Sequence, residues 1–214
     1  MIAVLDYDAG NLTSVACAVR HLGFVPTITR DPRDVRRAGH VIFPGVGAAG
    51  ASMATLRALG LDAALHDARR DGKPILGICI GCQVAFTRSE EDAAEGSIGT
   101  PCLGLLAGDV VRFRFPNGVR RKVPHMGWNE VHFRDSQRAH PVIAGIDPPS
   151  HFYFVHGYHV RPADPACVVG EASYGEVVFP ALVADRNLVA AQFHVEKSGP
   201  LGLRLLENFL RWKP

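Results

Sequence analysis

Residues 74–83 read Pro-Ile-Leu-Gly-Ile-Cys-Ile-Gly-Cys-Gln (PILGICIGCQ). The run from Pro74 to Ile78 is short and apolar throughout, as expected of a strand buried on both faces. It passes into Gly77-Ile78-Cys79-Ile80-Gly81, a G-x-C-x-G pentapeptide, and a helical stretch follows. A strand that turns sharply into a helix holds its central residue at strained backbone angles. The flanking glycines are needed because a side chain there would clash with the turn. Such an elbow projects Cys79 at the carboxyl end of a parallel sheet, where open α/β sheets bind ligands. The positive end of the helix dipole favours negative charge on a thiol placed there. The Ile80 N–H points at the same spot and is a candidate oxyanion donor.

Two rival readings use the same residues. A buried structural cysteine between helix-packing glycines has this pattern. Cys79 and Cys82 also form C-x-x-C, the spacing of a dithiol redox site. Redox sites of that kind usually follow an early strand and lack the elbow glycines, so Cys82 reads as helix filler.

Outward from the elbow, strands and helices alternate. Ile2 to Leu5, Val25 to Thr29 and His40 to Phe43 are strand candidates, the last stopped by Pro44-Gly45. Asn11 to Leu22 and Met53 to Arg70 carry helical periodicity. This order predicts an α/β fold with an open, mostly parallel, flavodoxin-like sheet and helices on both faces. The second half holds shorter strand candidates: Val110 to Phe115, Glu130 to Phe133, Phe152 to Val155, Cys167 to Gly170, Phe179 to Ala184 and Leu188 to Phe193. Turns such as Pro116-Asn117-Gly118 and Asp185-Arg186-Asn187 separate them, which predicts antiparallel extensions and hairpins. Ser89 to Gly99 reads as an acidic surface loop, and Leu201 to Trp212 as an amphipathic helix. The 214 residues fit one domain spanning 1–214.

The 23 basic and 21 acidic residues balance to +2, which argues against nucleic acid or an anionic membrane as partner. The most basic stretch, Arg112 to Lys122, is either a solvated hairpin or a docking patch. Five cysteines at irregular spacings are no disulfide framework. No apolar run approaches the roughly 20 residues of a membrane span, and the N-terminus has no signal-peptide pattern. A cytoplasmic protein with reduced thiols is expected. No pattern points to a metal or an organic cofactor.

A nucleophilic thiol needs a base and a group that orients the base. His194 and Glu196 lie two apart at the end of an apolar strand, so in extended chain they face the same way. Glu196 would hold the imidazole and His194 would reach Cys79 from a neighbouring strand. Two polar residues on an exposed strand face is the alternative. Pro44-Gly45-Val46-Gly47 ends another strand and is equally a simple turn or a second oxyanion donor, since glycines let backbone N–H groups approach a ligand.

Taken together, these residues resemble the class I (triad) glutamine amidotransferases. GICIGCQ (77–83) is similar to the nucleophile motif of that family, and QFHVEKS (192–198) to its His/Glu motif. The resemblance spans essentially the whole chain. It implies that Cys79 attacks the glutamine amide carbon, that His194 protonates the departing ammonia and then activates water, and that Glu196 orients His194. It implies an oxyanion hole from Ile80 and the Gly45, Val46 and Gly47 segment, with Gln83, Gly157 and Tyr158 holding the amino-acid end of glutamine.

DYDAGNLTSV (6–15), KVPHMGWNEV (122–131) and FYFVHGYHV (152–160) are similar to one branch of the family. That branch passes ammonia through a channel to a (βα)₈-barrel cyclase subunit, its heterodimer partner. The cyclase makes imidazole glycerol phosphate and AICAR in histidine biosynthesis. The branch implies a subunit contact at or near Asn11, Met126, Trp128 and Asn129, with Lys122 and the basic run docking acidic groups. The chain departs from the family at two positions, with Val195 where proline is usual and Gly157 where a small hydroxyl residue is expected. A glutaminase of another pathway, such as anthranilate or pyridoxal phosphate synthesis, and a non-catalytic or redox protein on the same fold are the competing readings.

Overall fold

The computed structural model describes residues 1–93, 97–116 and 119–214. Five strands form the parallel core of an eight-stranded sheet: β1 (Ile2–Leu5), β2 (Pro26–Thr29), β3 (His40–Gly45), β4 (Ile75–Cys79) and, late in the chain, β14 (Leu188–Ala191). The sheet order is β2-β1-β3-β4-β14, continued by antiparallel β13 (Val177–Asp185), β12 (Val168–Tyr174) and β9 (His132–Phe133). β4 and β14 therefore lie side by side, in parallel register from Leu188 against Ile75 to Ala191 against Ile78. This pairing brings the segment after residue 191 to the carboxyl end of β4, beside Cys79.

Both faces of the sheet centre are covered, so β1, β4 and β14 are apolar and buried in every position. Ile42, Leu76 and Ile78 pack beneath α1 (Leu12–His21) and α6 (Gly199–Arg211), with Val15, Val19, Leu206 and Phe209. Val41, Phe43 and Ile75 point the other way, against α2 (Pro32–Arg37), α3 (Ala49–Ala58) and α4 (Leu61–Arg70), with Val35, Met53 and Leu65. Phe43 has no exposed surface, and truncating such a side chain to alanine costs about 3–5 kcal/mol.

Two smaller sheets sit over the carboxyl end of the core. One is a ribbon of β8 (His125–Glu130) and β10 (His151–His156). The other joins β11 (Tyr158–Pro162), β7 (Gly108–Arg112), β5 (Arg88–Ser89) and β6 (Thr100–Pro101). The hairpin turn expected at Asp185-Arg186-Asn187 joins β13 to β14, with Arg186 at a φ of 49°.

Several expectations need correction. The helix expected over Met53 to Arg70 is two helices, because Gly60 takes a φ of 67° and ends the first. The short α2 was not anticipated; Asp31 caps it, accepting from the Arg33 N–H at 2.8 Å, and Pro32 opens it. β8 and β11 were also missed, and the strand expected over Glu130 to Phe133 divides between β8 and β9. The basic stretch does not fold back on β7, whose neighbours are β11 and β5; Asn117 and Gly118 of its expected turn lie outside the described residues. So do residues 94–96 of the acidic loop, whose first residue, Ser89, ends a strand rather than opening a loop.

Candidate active site

Cys79 closes β4 and opens α5 (Ile80–Val84) at a φ of 54° and a ψ of −106°. Such angles cost about 1–3 kcal/mol in a non-glycine residue and persist only where neighbours enforce them. The enforcement is visible. A Cβ on Gly81 would lie 1.8 Å from the Phe43 carbonyl oxygen, and one on Gly77 would lie 2.7 Å from that of Gly81. Only glycine at both positions lets helix, elbow and β3 approach this closely.

His194 and Glu196 meet beside the thiol. His194 Nδ1 and Glu196 Oε1 are 2.8 Å apart, with both side chains fully buried. The expected route to this contact is wrong in one respect. The chain leaves β14 at Ala191, and residues 195–197 form a 3₁₀ turn rather than extended strand. Three contacts fix the turn: the His194 N–H donates to the Tyr153 carbonyl at 2.9 Å, the Ser198 hydroxyl donates to the His194 carbonyl at 2.6 Å, and the Tyr153 N–H donates to Ser198 Oγ at 3.0 Å. Val195 is buried, and α6 packs so tightly that a Cβ on Gly202 would lie 2.0 Å from its carbonyl. The imidazole and carboxylate are therefore aligned by the turn and its anchors, with no proline between them.

Burial alone would lower the basicity of His194, but the adjoining Cys79 and Glu196 outweigh it and hold its pKa up at about 9. Its Nε2 is buried without a hydrogen-bond partner among the described residues, as are Glu196 Oε2 and the Tyr7 hydroxyl. Burial, then nearness to Cys79, pushes the Tyr7 pKa up, so that phenol stays protonated. The Asn11 amide donates to Glu196 Oε1, behind the His194 contact. Sequence reasoning placed Asn11 at or near a subunit contact; its side chain is turned inward onto Glu196 and His194.

A cavity of about 220 Å³ opens at the sulfur. Of the residues expected there, Val46, Gly47, Cys79, Ile80, Gln83, Gly157 and Tyr158 line it. Gly45 does not. It pairs with Cys79 across β3 and β4 and is backed by Tyr7, whose hydroxyl would lie 2.5 Å from a Cβ placed there. Nor is the Val46 N–H available as expected, because it donates to the Ala9 carbonyl at 2.5 Å. Gln83 Nε2 donates to the Tyr158 carbonyl at 3.0 Å and to Gln192 Oε1 at 3.1 Å, and Gln192 Nε2 lies 4.0 Å from the sulfur. Sequence reasoning missed Gln192, Tyr7 and Glu91. Glu91 lines the cavity mouth, held by the Ala49 N–H at 2.8 Å. Its position in an acidic, loop-like stretch gave no signal. A larger cleft of about 510 Å³ lies at the other end of the sheet, by Asp185 and Arg186, and holds none of the expected site residues.

Cys82 faces away from this chemistry. Its side chain packs into the core on the α3–α4 side, and burial, then the nearness of Cys79 and Cys167, pushes its pKa well up. All five cysteines are free thiols. Met126 and Trp128 stand out from β8, 62% and 57% exposed. Lys122 is exposed, while Asn129 is half-buried and donates to the Ser173 carbonyl at 2.8 Å. Two charges of the basic run are spent within the chain, Arg114 on Glu90 and Arg121 on Glu176.

The family model described as glutamine amidotransferase class-I matches residues 3–212. The chain belongs to this family. As a class I glutamine amidotransferase it is an enzyme, and a Cys-His-Glu triad is characteristic of the family. It is 48% identical to the imidazole glycerol phosphate synthase subunit HisH of Desulfovibrio desulfuricans, over 99% of this chain and 94% of that one. It is 46% identical to the protein of the same name from Dehalococcoides mccartyi, over 99% and 97%. Among solved structures it is similar to a glutamine amidotransferase, with a TM-score of 0.71 at 21% identity over 98% of this chain and 96% of that one. It is equally similar in fold to a chain of PurLQS from Thermotoga maritima, with a TM-score of 0.71 at 19% identity over 98% and 96%. At those identities the two structures speak for the fold alone. No helix among the described residues is long and apolar enough to cross a membrane.

Proposed function

We propose that this chain is the glutaminase subunit of imidazole glycerol phosphate synthase. It hydrolyses glutamine to glutamate and ammonia. The ammonia passes to a cyclase subunit that forms imidazole glycerol phosphate and AICAR in histidine biosynthesis. The observation that carries this reading is a strained elbow thiol beside a buried His–Glu pair, in a chain 48% identical over nearly its full length to a subunit of that synthase.

In the proposed reaction the Cys79 sulfur attacks the amide carbon with its proton already resting on His194 Nε2, in keeping with the raised pKa of that imidazole. The Ile80 N–H stabilises the oxyanion. The C–N bond breaks as the imidazolium protonates the leaving nitrogen, giving ammonia and a glutamyl thioester. His194 then takes a proton from water, which attacks the thioester, and glutamate leaves as the thiol is restored. Glu196 keeps the imidazole aimed throughout. Gln83, Gly157 and Tyr158 hold the amino-acid end of glutamine, and the Glu91 carboxylate suits its ammonium group. The balanced reaction calls for no metal or organic cofactor.

The proposed partner is a (βα)₈ barrel. It docks where Met126 and Trp128 project, a pairing of residue types enriched at contact hot regions. Lys122, Asn129 and Asn11 lie at the margin of that contact. The chain works as one domain in the cytoplasm. The test is glutamate release by the purified chain, with and without the barrel subunit and its ligand. Strong stimulation by the barrel is expected. Hydrolysis indifferent to the barrel would move the chain to another pathway, and no hydrolysis in either condition would remove the glutaminase reading.

A further inference from the structure

Two buried histidines outside the triad are joined to the glutamine cavity. His125 and His156 are cross-strand partners on the β8–β10 ribbon, 4% and 5% exposed. His156 Nδ1 lies 2.8 Å from the Tyr158 carbonyl oxygen. A carbonyl only accepts, so Nδ1 carries the proton and Nε2 is the lone-pair nitrogen of the neutral ring. His125 Nδ1 lies 3.2 Å from that Nε2 and must therefore donate to it. His125 Nε2 is left as an acceptor, and the Asn129 amide reaches it at 3.4 Å while its other hydrogen goes to the Ser173 carbonyl. Every donor in the series finds an acceptor, and only one pair of tautomers satisfies all of them.

The series ends at a carbonyl shared with the substrate pocket. The Tyr158 oxygen also accepts from Gln83 Nε2, which continues through Gln192 to the Cys79 sulfur. The rings lie in an aromatic sheath. Tyr174 and Phe154 stack on His125 at centroid distances of 4.3 and 5.1 Å, and Phe113 and Phe179 flank His156 at 5.2 and 5.1 Å. Burial pushes the pKa of His125 down to about 4 and that of His156 to about 3, so both rings are neutral at working pH. Buried polar rings cost desolvation unless their bonds are complete. Here the completed bonds lead in one direction, from β8 to the lip of the cavity.

We propose that His125 and His156 are positioning residues, a relay of fixed Nδ1–H tautomers that sets the Tyr158 carbonyl and, through it, the Gln83 amide for glutamine binding. The proposal rests on the glutaminase reading for its kinetic consequence, but its structural core stands apart from that reading. Long-range proton–nitrogen NMR on the unaltered chain reads both tautomers directly. Both rings are expected as Nδ1–H, and an Nε2–H form at either one overturns the relay whatever the enzyme does.

The kinetic arm uses the complex with the cyclase subunit. His156→Leu removes the bond to the carbonyl and strands the His125 donor. The KM for glutamine should rise about tenfold, the loss expected of one buried hydrogen bond, while kcat changes less than about threefold. His156→Asn keeps a donor in the Nδ1 position and should return KM to within about threefold of the parent. A merely structural role would instead reduce the fraction of sites titrated by an electrophilic glutamine analogue and leave KM alone, and that result overturns the proposal. Should the leucine variant fail to fold, the asparagine variant and the tautomers decide. Absence of hydrolysis by the unaltered complex would count against the glutaminase reading and leave the tautomer measurement standing.

Discussion

The Val46 N–H donates to the Ala9 carbonyl at 2.5 Å, so the segment that walls the cavity opposite Ile80 is bonded to the loop after β1 rather than aimed at the sulfur. Gly47 follows at a φ of 111° with open space on its Cα. A second oxyanion donor is therefore gained only if the Val46 peptide rotates off Ala9. In the free chain the Val46 amide proton should be protected from exchange. After the thiol is capped by a glutamine analogue that leaves a tetrahedral oxyanion, its chemical shift should move and the Ala9 bond should be lost. An unmoved Val46 resonance would leave Ile80 as the lone donor of the pair.

Asn11 reaches Glu196 from 185 residues away and donates to the oxygen that holds the imidazole. Hydrogen bonds to a charged group contribute about 1.5–3 kcal/mol when buried. Asn11→Ala should lower kcat for glutamine hydrolysis at least about tenfold and leave KM within about threefold, since the residue acts on the base and not on the substrate. Steady-state kinetics at saturating cyclase subunit separate the two; a change confined to KM would place Asn11 elsewhere in the mechanism.

His194 also links charge to stability. Its pKa stands at about 9 in the folded chain against an ordinary value of 6.5. A base whose folded pKa is raised contributes stability that is fully present below about pH 6.5 and is lost as pH climbs through about 9. The loss is at most about 3 kcal/mol, and for a chain of this size each kcal/mol moves Tm by about 2–4 °C. Thermal melts between pH 6.5 and 9.5 should show that fall in the parent and a smaller one in Glu196→Gln. Parallel curves for the two proteins would mean that the pair does not carry the charge.

The elbow was legible because its requirement is local: two glycines four apart around one strained residue, after a run of apolar positions. The parallel core was legible for a related reason, since strands covered on both faces have no polar register to hide in. What stayed hidden depends on distant partners. The turn at 195–197 is dictated by Tyr153 and Ser198, so period-two spacing put His194 and Glu196 together for the wrong geometric reason. β8 carries Met126 and Trp128 outward around Gly127, a pattern with no apolar alternation to announce a strand. Gln192 sits inside an otherwise apolar, buried stretch, and Tyr7 is buried between the polar residues Asp6 and Asp8, so neither gives a sign of what it will face.

Gly157 stands where the family resemblance leads one to expect a small hydroxyl residue, and the structure has room there. A Cβ would meet only Val123 Cγ1, at 3.4 Å, and the backbone is not in the left-handed region. Gly157→Ser should fold with unchanged or slightly higher Tm, because a residue with a Cβ loses less freedom on folding. Position 157 lines the cavity. One added hydrogen bond is worth about 0.5–1.5 kcal/mol, so KM for glutamine should fall about two- to tenfold. An unchanged KM in a stable variant would show that the amino-acid end is held by backbone groups alone.

The two cysteines of C-x-x-C offer opposite expectations. Cys79 ends β4 at the cavity, while Cys82 is sealed in the core on the α3–α4 side with its thiol held protonated by burial. A dithiol couple needs both sulfurs to reach each other and an oxidant; a glutaminase needs only the first. Cys79→Ser should therefore abolish glutamine-dependent synthesis, by about a thousandfold or more, while the cyclase subunit still makes product from free ammonium. Cys82→Ala should keep turnover within a few-fold and lose some stability, since a small buried side chain is truncated. The decisive comparison is kcat for glutamine hydrolysis in the two variants under identical conditions. If Cys82→Ala fell as far as Cys79→Ser, the second sulfur would have to take part in the chemistry, and a single-thiolate mechanism could not stand.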